Sequence, residues 1–213
     1  MVRPSITALI ALLSIVACGG SSNGPQGPSA SSVSVQPGDL PHGMVKCDLT
    51  GDIDTFIAKE QSPDPQTSKS MSGYWADLKR AGATSAYAAI YTDSAAHCSA
   101  IKSSTSDIAA ANYRLVVNFV VQFKDEKSAA GAYTNQSILG FSASALRSGG
   151  AQTIEGTKSG LTANSIVLDQ SISNQSFYIA LWQNKAFDTI LALLNVDSTS
   201  SKKVATTENS RIK

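Results

Sequence analysis

The chain is poor in the side chains that carry chemistry. Its 213 residues include two histidines and three cysteines. Charged residues make up 15% of it, against about 25% in an average soluble domain. Its one G-x-S-x-G string, Gly20 to Gly24, falls in a glycine- and serine-rich stretch with no strand or helix pattern around it and so makes no α/β-hydrolase elbow. It has no H-E-x-x-H, C-x-x-C or G-x-x-x-x-G-K-[ST] string, so the marks of a zinc protease, a redox pair and a nucleotide-binding loop are missing. It also has no excess of charge. Seventeen basic residues face sixteen acidic ones. A binder of nucleic acid needs a basic face to neutralise phosphate, and a polybasic membrane patch needs the same; neither is expected here, and no cofactor is expected.

The first residues carry the strongest signal. Arg3 precedes a largely apolar, uncharged run, Ile6 to Ala17. A helix needs about 20 residues to cross a bilayer, so this run reads as the core of an export signal. It ends Ile15-Val16-Ala17-Cys18, which resembles the lipobox of bacterial lipoproteins. That resemblance implies cleavage after residue 17 and a diacylglycerol group on the Cys18 thiol. The mature chain would then lose Arg3 and no acid, leaving sixteen charges of each sign. Two or three acyl chains would hold it on the extracytoplasmic face of a membrane far more firmly than one. The alternative is an ordinary secretory signal followed by a coincidental cysteine.

Residues 18–38 are dominated by glycine, serine and proline and read as a flexible tether. Residues 39–213 read as one domain. Once Cys18 is set aside, Cys47 and Cys98 remain, 51 residues apart. An exported compartment permits a disulfide between them; the alternative is two buried thiols. Without further ligands they do not make a zinc site, and no metal is expected.

Within the domain, Asp52 is placed to cap a helix carrying Ile53, Phe56 and Ile57 on one side. Met71, Tyr74, Trp75 and Leu78 form the apolar stripe of a second helix over Ser68 to Ala81, stopped by Gly82. Thr84 to Thr92 alternates as a strand, and Asp93 is placed to cap a helix with Ala95, Cys98 and Ile101 inward. Tyr113 to Phe123 alternates most clearly, and both faces are partly apolar, so it is expected at the centre of a sheet. Asp125 then caps a helix with Ala129, Ala132 and Tyr133 inward. The two strand–Asp–helix segments faintly echo each other. A helical turn near Phe141 to Arg147 leads into an irregular, glycine-punctuated stretch. Three strands follow: Ile166 to Gln170, Phe177 to Trp182 and Phe187 to Val196, with turns at Ser173-Asn174-Gln175 and Gln183-Asn184-Lys185. The run Ile190, Leu191, Leu193 and Leu194 would also suit a helix, but its length between turns and the preceding hairpin favour a strand. A final helix would turn Val204 and Ile212 inward. The fold class expected is α+β: an antiparallel or mixed sheet with a long central strand and a C-terminal hairpin, covered by several short helices.

The segments FKDEKSAAGAY, GLTANSI and SFYIALWQNKAFDTILALL resemble the small exported α+β domains of bacterial lipoproteins and receptor-kinase ectodomains. The likeness spans the second half of the chain. It implies a fold and no activity.

Candidate sites are few. His42, between Pro41 and Gly43, reads as a loop residue. His97 adjoins Cys98, but neighbours on a helix point about 100° apart and do not face each other. Asp48, Asp52 and Asp54 lack the spacing and terminal glutamate of a calcium loop. The aromatic residues Tyr87, Tyr91, Tyr178 and Trp182 are the candidate binding face. If helices leave it open, it would take an apolar ligand or a partner chain; if they cover it, it is core. The expected function is a membrane-anchored, non-enzymatic binding module of the cell envelope, its partner an envelope protein or a small apolar ligand. Two other readings remain: an envelope hydrolase with a site assembled from scattered Asp, Ser and Tyr residues, and a structural surface protein.

Overall fold

The computed structural model describes residues 27–103, 111–135, 137–149 and 152–213. The proposed signal, residues 1–17, and Cys18 lie outside the described residues. The segment with the clearest alternation is the strand β4, Leu115–Phe123, and every residue of it but Gln122 is buried. Both faces of a strand so placed must be covered, and the fold is built to do so.

Strands β1 (Val45–Lys46), β2 (Gly51–Asp52), β3 (Ala83–Thr92), β5 (Thr153–Glu155), β6 (Ser165–Ile172), β7 (Gln175–Asn184) and β8 (Phe187–Leu194) complete one antiparallel sheet of order β1-β3-β4-β8-β7-β6-β5, with β2 also paired to β3. Val117 stands between Ile90 of β3 and Ala192 of β8, which fixes the central register.

One face is covered by α2 (Ile53–Glu60), α3 (Pro65–Arg80), α4 (Ala95–Ser103), α5 (Glu126–Asn135) and α6 (Ala143–Ser148). Leu115, Val117, Phe119, Val121 and Phe123 pack here with Phe56, Met71, Trp75, Leu78, Ala129 and Ala132. Phe56 meets Phe119 edge to face, centroids 5.7 Å apart. Each such aromatic or leucine side chain contributes about 1.5–3 kcal/mol when fully buried. The expected stripe on α3 holds, except that Tyr74 at its margin stays half exposed. Asp64, not a residue nearer Ser68, starts this helix: its carboxylate accepts from the Thr67 amide, and Pro65 takes the first helical position, where a missing N–H costs nothing. Gly82 ends it with φ +103°.

The other face is covered by α7 (Ser198–Ser210) and by a short N-terminal strap. Val204 and Ala205 of α7 lie on Tyr91, Val116, Tyr178, Trp182, Leu191 and Leu193. The strap consists of α1 (Ala30–Val33) and a 3-10 turn at Pro37–Asp39.

Five sequence expectations need correction. The tether does not run to residue 38: Ala30, Val33 and Val35 are buried on the sheet, and Ser29 and Ser32 cap the short helix reciprocally. The folded part therefore begins about ten residues earlier than composition implied. The irregular stretch after residue 149 contains β5, paired to β6, and a 3-10 turn. Asp52 precedes α2 but its side chain makes no capping bond. At α4 the bond to the His97 amide comes from Ser94 Oγ at 3.2 Å, while Asp93 is engaged elsewhere. The last hairpin turns at Lys185-Ala186, since Asn184 pairs with Phe187.

The remaining strands and helices match the pattern. Asp125 caps α5 through the Ser128 amide at 2.7 Å. Ser173 and Asn174 both take positive φ between β6 and β7, as a two-residue type I′ turn requires.

Candidate functional site

Cys47 and Cys98 form a disulfide, their Cα atoms 5.2 Å apart. Cys47 follows β1 and its amide donates to the Ile90 carbonyl of β3, so the bridge fastens α4 to the edge of the sheet. A bridged sulfur cannot act as a nucleophile. Beside it, the His97 ring stacks on Tyr113, centroids 4.0 Å apart and planes 8° from parallel. Its Nδ1 meets the Asp93 carboxylate, which also accepts from the Arg114 amide. Partial burial opposes ionisation of Asp93, but these two bonds prevail and hold its carboxyl below the usual range. The cluster joins the start of α4 to the start of β4. His42 lies apart from it, its carbonyl accepting from the Arg114 guanidinium at 3.4 Å.

The candidate binding face is brought together but not open. Tyr91 and Tyr178 are 2% exposed, and Trp182 not at all. Only Tyr87 keeps partial access. Tyr91 Oη donates to the Val35 carbonyl of the strap at 3.0 Å, and burial pushes its phenol pKa up to about 12. Tyr91, Tyr178 and Trp182 are core beneath α7 and the strap, with Tyr87 part-buried against them, so among the described residues this face is closed to an apolar ligand.

What sequence reasoning missed is a buried polar network on this same face. Asn118 in β4 is wholly buried. Its Oδ1 accepts from the Val35 amide at 3.0 Å, and its Nδ2 donates to Glu208 Oε1 at 2.8 Å and to the Ile190 carbonyl at 3.0 Å. Glu208, on α7, is also fully buried. Burial pushes its carboxyl well above the usual range, against the opposing pull of Asn118 and Arg211. Arg211 donates to the carbonyls of Val33 and Ser34 and pairs with Asp39. The strap and the C-terminal segment are thus joined through one arginine and one asparagine. The visible signal was Asn118 itself, a lone amide in the apolar middle of a strand.

Asp188, the one acid in the apolar run of β8, is fully buried. Neither carboxylate oxygen has a hydrogen-bond partner among the described residues. It faces the α5 side between Val121 and Gln183, and the Gln183 amide is already committed to Asn164 and to the Lys185 carbonyl. Burial therefore raises the Asp188 pKa well above its ordinary value. The folded protein holds a proton that the unfolded chain releases near pH 4. The stability this gives is full below about pH 4 and falls as pH rises toward the folded-state value, by up to ~1.4 kcal/mol per pH unit. Asp188→Val is expected to stabilise the protein by about 1–2 kcal/mol at pH 7, because an orphaned polar group is removed. It is also expected to flatten the loss of stability as pH rises above about 4, leaving the part due to Glu208. Thermal unfolding of both proteins across that range checks this; a variant less stable than the parent at neutral pH would refute it.

On the opposite surface, two concavities adjoin between α3 and α5. One, of about 530 Å³, is lined by Tyr74, Asp77, Arg80, Ala81 and Ser137. The other, of about 490 Å³, is lined by Ala81, Lys124, Asp125, Lys127, Ser128 and neighbours on α5. They are large enough for a ligand. The first mixes apolar surface with the charges of Asp77 and Arg80, and the second is mainly polar, with Lys124, Asp125 and Lys127 in its wall, whereas most small-molecule sites are lined chiefly by apolar side chains. Among the described residues, no three His, Cys, Asp or Glu side chains gather to hold a metal ion. Among the same residues, no helix is long and apolar enough to cross a membrane.

No protein-family model matches the sequence, and no curated protein matches it. Among solved structures, the chain is similar to the extracellular domain of PknH from Mycobacterium tuberculosis. The two share 10% sequence identity and a TM-score of 0.52, over 89% of this chain and 98% of the other. At that identity the likeness is one of fold.

Proposed function

We propose that this chain is an exported, lipid-anchored domain that binds a protein partner in the cell envelope and catalyses no reaction. The observation that carries the reading is the fold likeness to an extracellular domain across nearly the whole of that domain. The disulfide between Cys47 and Cys98 supports it, since such bonds persist in oxidising compartments. The sequence Ile15-Val16-Ala17-Cys18 supplies the anchor. A protein partner fits better than a small apolar ligand, because the buried part of the aromatic face is sealed and the concavities beside α3 and α5 carry charged side chains in their walls.

Cys18→Ala is expected to move the protein from the membrane pellet to the soluble extracytoplasmic fraction, with its fold unchanged. Retention in the pellet would sink the lipid anchor. Amine-reactive cross-linking of intact envelopes is expected to shift the wild-type chain into a discrete heavier species; a chain that stays at its own mass would contradict the binding reading.

A further inference from the structure

Three buried polar atoms beneath α7 have no hydrogen-bond partner among the described residues: Trp182 Nε1, Thr189 Oγ1 and Glu208 Oε2. All three residues are fully enclosed. The sheet register brings them together. Trp182 and Thr189 are directly paired across β7 and β8, which sets their Cβ atoms about 5 Å apart on one face. Thr189 also stands opposite Val120 of β4, and the next residue of β4 on that face is Asn118. Asn118 holds the Glu208 carboxyl at 2.8 Å through Oε1, leaving Oε2 as its free end. From the helix side, Asn184, two residues beyond Trp182, donates to Asn209 Oδ1 at 2.8 Å. The turn of α7 that carries Glu208 is therefore laid over this end of the β7–β8 pair.

Each orphaned group would cost about 1–3 kcal/mol. Three of them on neighbouring side chains of one face is an arrangement that an internal water resolves, since such a water makes about three hydrogen bonds to otherwise unmatched buried groups. We propose that Trp182, Thr189 and Glu208 form a binding site for a single internal water molecule between α7 and the sheet. The donor chemistry selects water over a cation. An indole N–H can only donate, so it presents positive charge to the occupant. Water accepts from the indole and exchanges bonds with the Thr189 hydroxyl and the Glu208 carboxyl, each of which can give or take one. By fixing the Glu208 carboxyl, the water also fixes Asn118, and through it the Val35 amide of the strap.

A crystal structure of the mature protein at better than about 2 Å is expected to show one density peak within hydrogen-bond distance of all three atoms. A dry site, or three atoms paired with protein groups, overturns the proposal. A double-mutant cycle gives an independent reading. Trp182→Phe and Thr189→Val are each expected to lower the folded-to-unfolded ratio roughly tenfold, by breaking up the shared water. The double variant is expected to lose little more than either alone, because sites that share a partner are not additive. Losses that multiply to about a hundredfold, or a Thr189→Val protein more stable than the parent, overturn it.

Discussion

Removing the disulfide by replacing both Cys47 and Cys98 with alanine is expected to lower the stability of the domain by about 4 kcal/mol. The bridge closes 51 residues, and in the chain-entropy model a loop of that length restricts the unfolded ensemble by about this amount. The non-covalent interactions around the bridge are weak by comparison. Lys59 and Lys102 reach Asp48 nearby, but on the surface, where such pairs contribute little. Urea denaturation checks the expectation, with two internal tests. The reduced wild-type protein should match the double variant. The slope of the transition should rise, because an uncrosslinked chain exposes more surface on unfolding. A loss under about 1 kcal/mol would contradict the entropic account.

The next largest effect is expected at Asn118. Asn118→Ala strands the Val35 amide and the Glu208 carboxyl in a closed interior, at roughly 3 kcal/mol for the pair. Asn118→Asp keeps an acceptor for Val35 but sets a second acid against Glu208, so its defect should grow as pH rises. The accompanying local readout is hydrogen exchange at Val35, expected to accelerate in the alanine variant and to stay nearer the parent's rate in the aspartate variant at low pH. An alanine variant within about 0.5 kcal/mol of the parent would show that the strap is held by Val33 and Val35 packing alone.

These two sites differ in how far the sequence announced them. The disulfide was legible, because export and the two remaining cysteines point to one pairing. The central strand was legible too: Leu115, Val117, Phe119, Val121 and Phe123 alternate so strictly that their burial follows from period two. The same holds for Met71, Trp75 and Leu78 on α3. The strap was not legible. Its residues are mostly those of a linker, and Val33 and Val35 owe their burial to tertiary packing on β3, β4 and α7, which no local window contains. The Ser29 and Ser32 cap was its one local sign.

The aromatic residues show the same boundary. Alternation correctly assigned Tyr87 and Tyr91 to one side of β3, and the register puts Tyr178 and Trp182 on that side as well. It could not say what lies over them. That depends on α7, a helix of serine, threonine and lysine whose few apolar residues, Val204 and Ala205, fall where the sheet needs them. Asp188 and Glu208 were invisible for a related reason. An acid in an apolar strand or on a polar helix reads as solvent-facing until the neighbouring layer is placed on top of it.

The strap also brings the entering chain and the last helix out on one side of the molecule. Pro28 enters beside Gln122, and residues 30–40 then lie on the α7 side of the sheet, with Arg211 gripping them. Ile212 packs with Ala30 and Val33, so a reporter fused after Lys213 would emerge beside the strap, whereas one inserted near Ser137 would lie across the sheet, beside Tyr74.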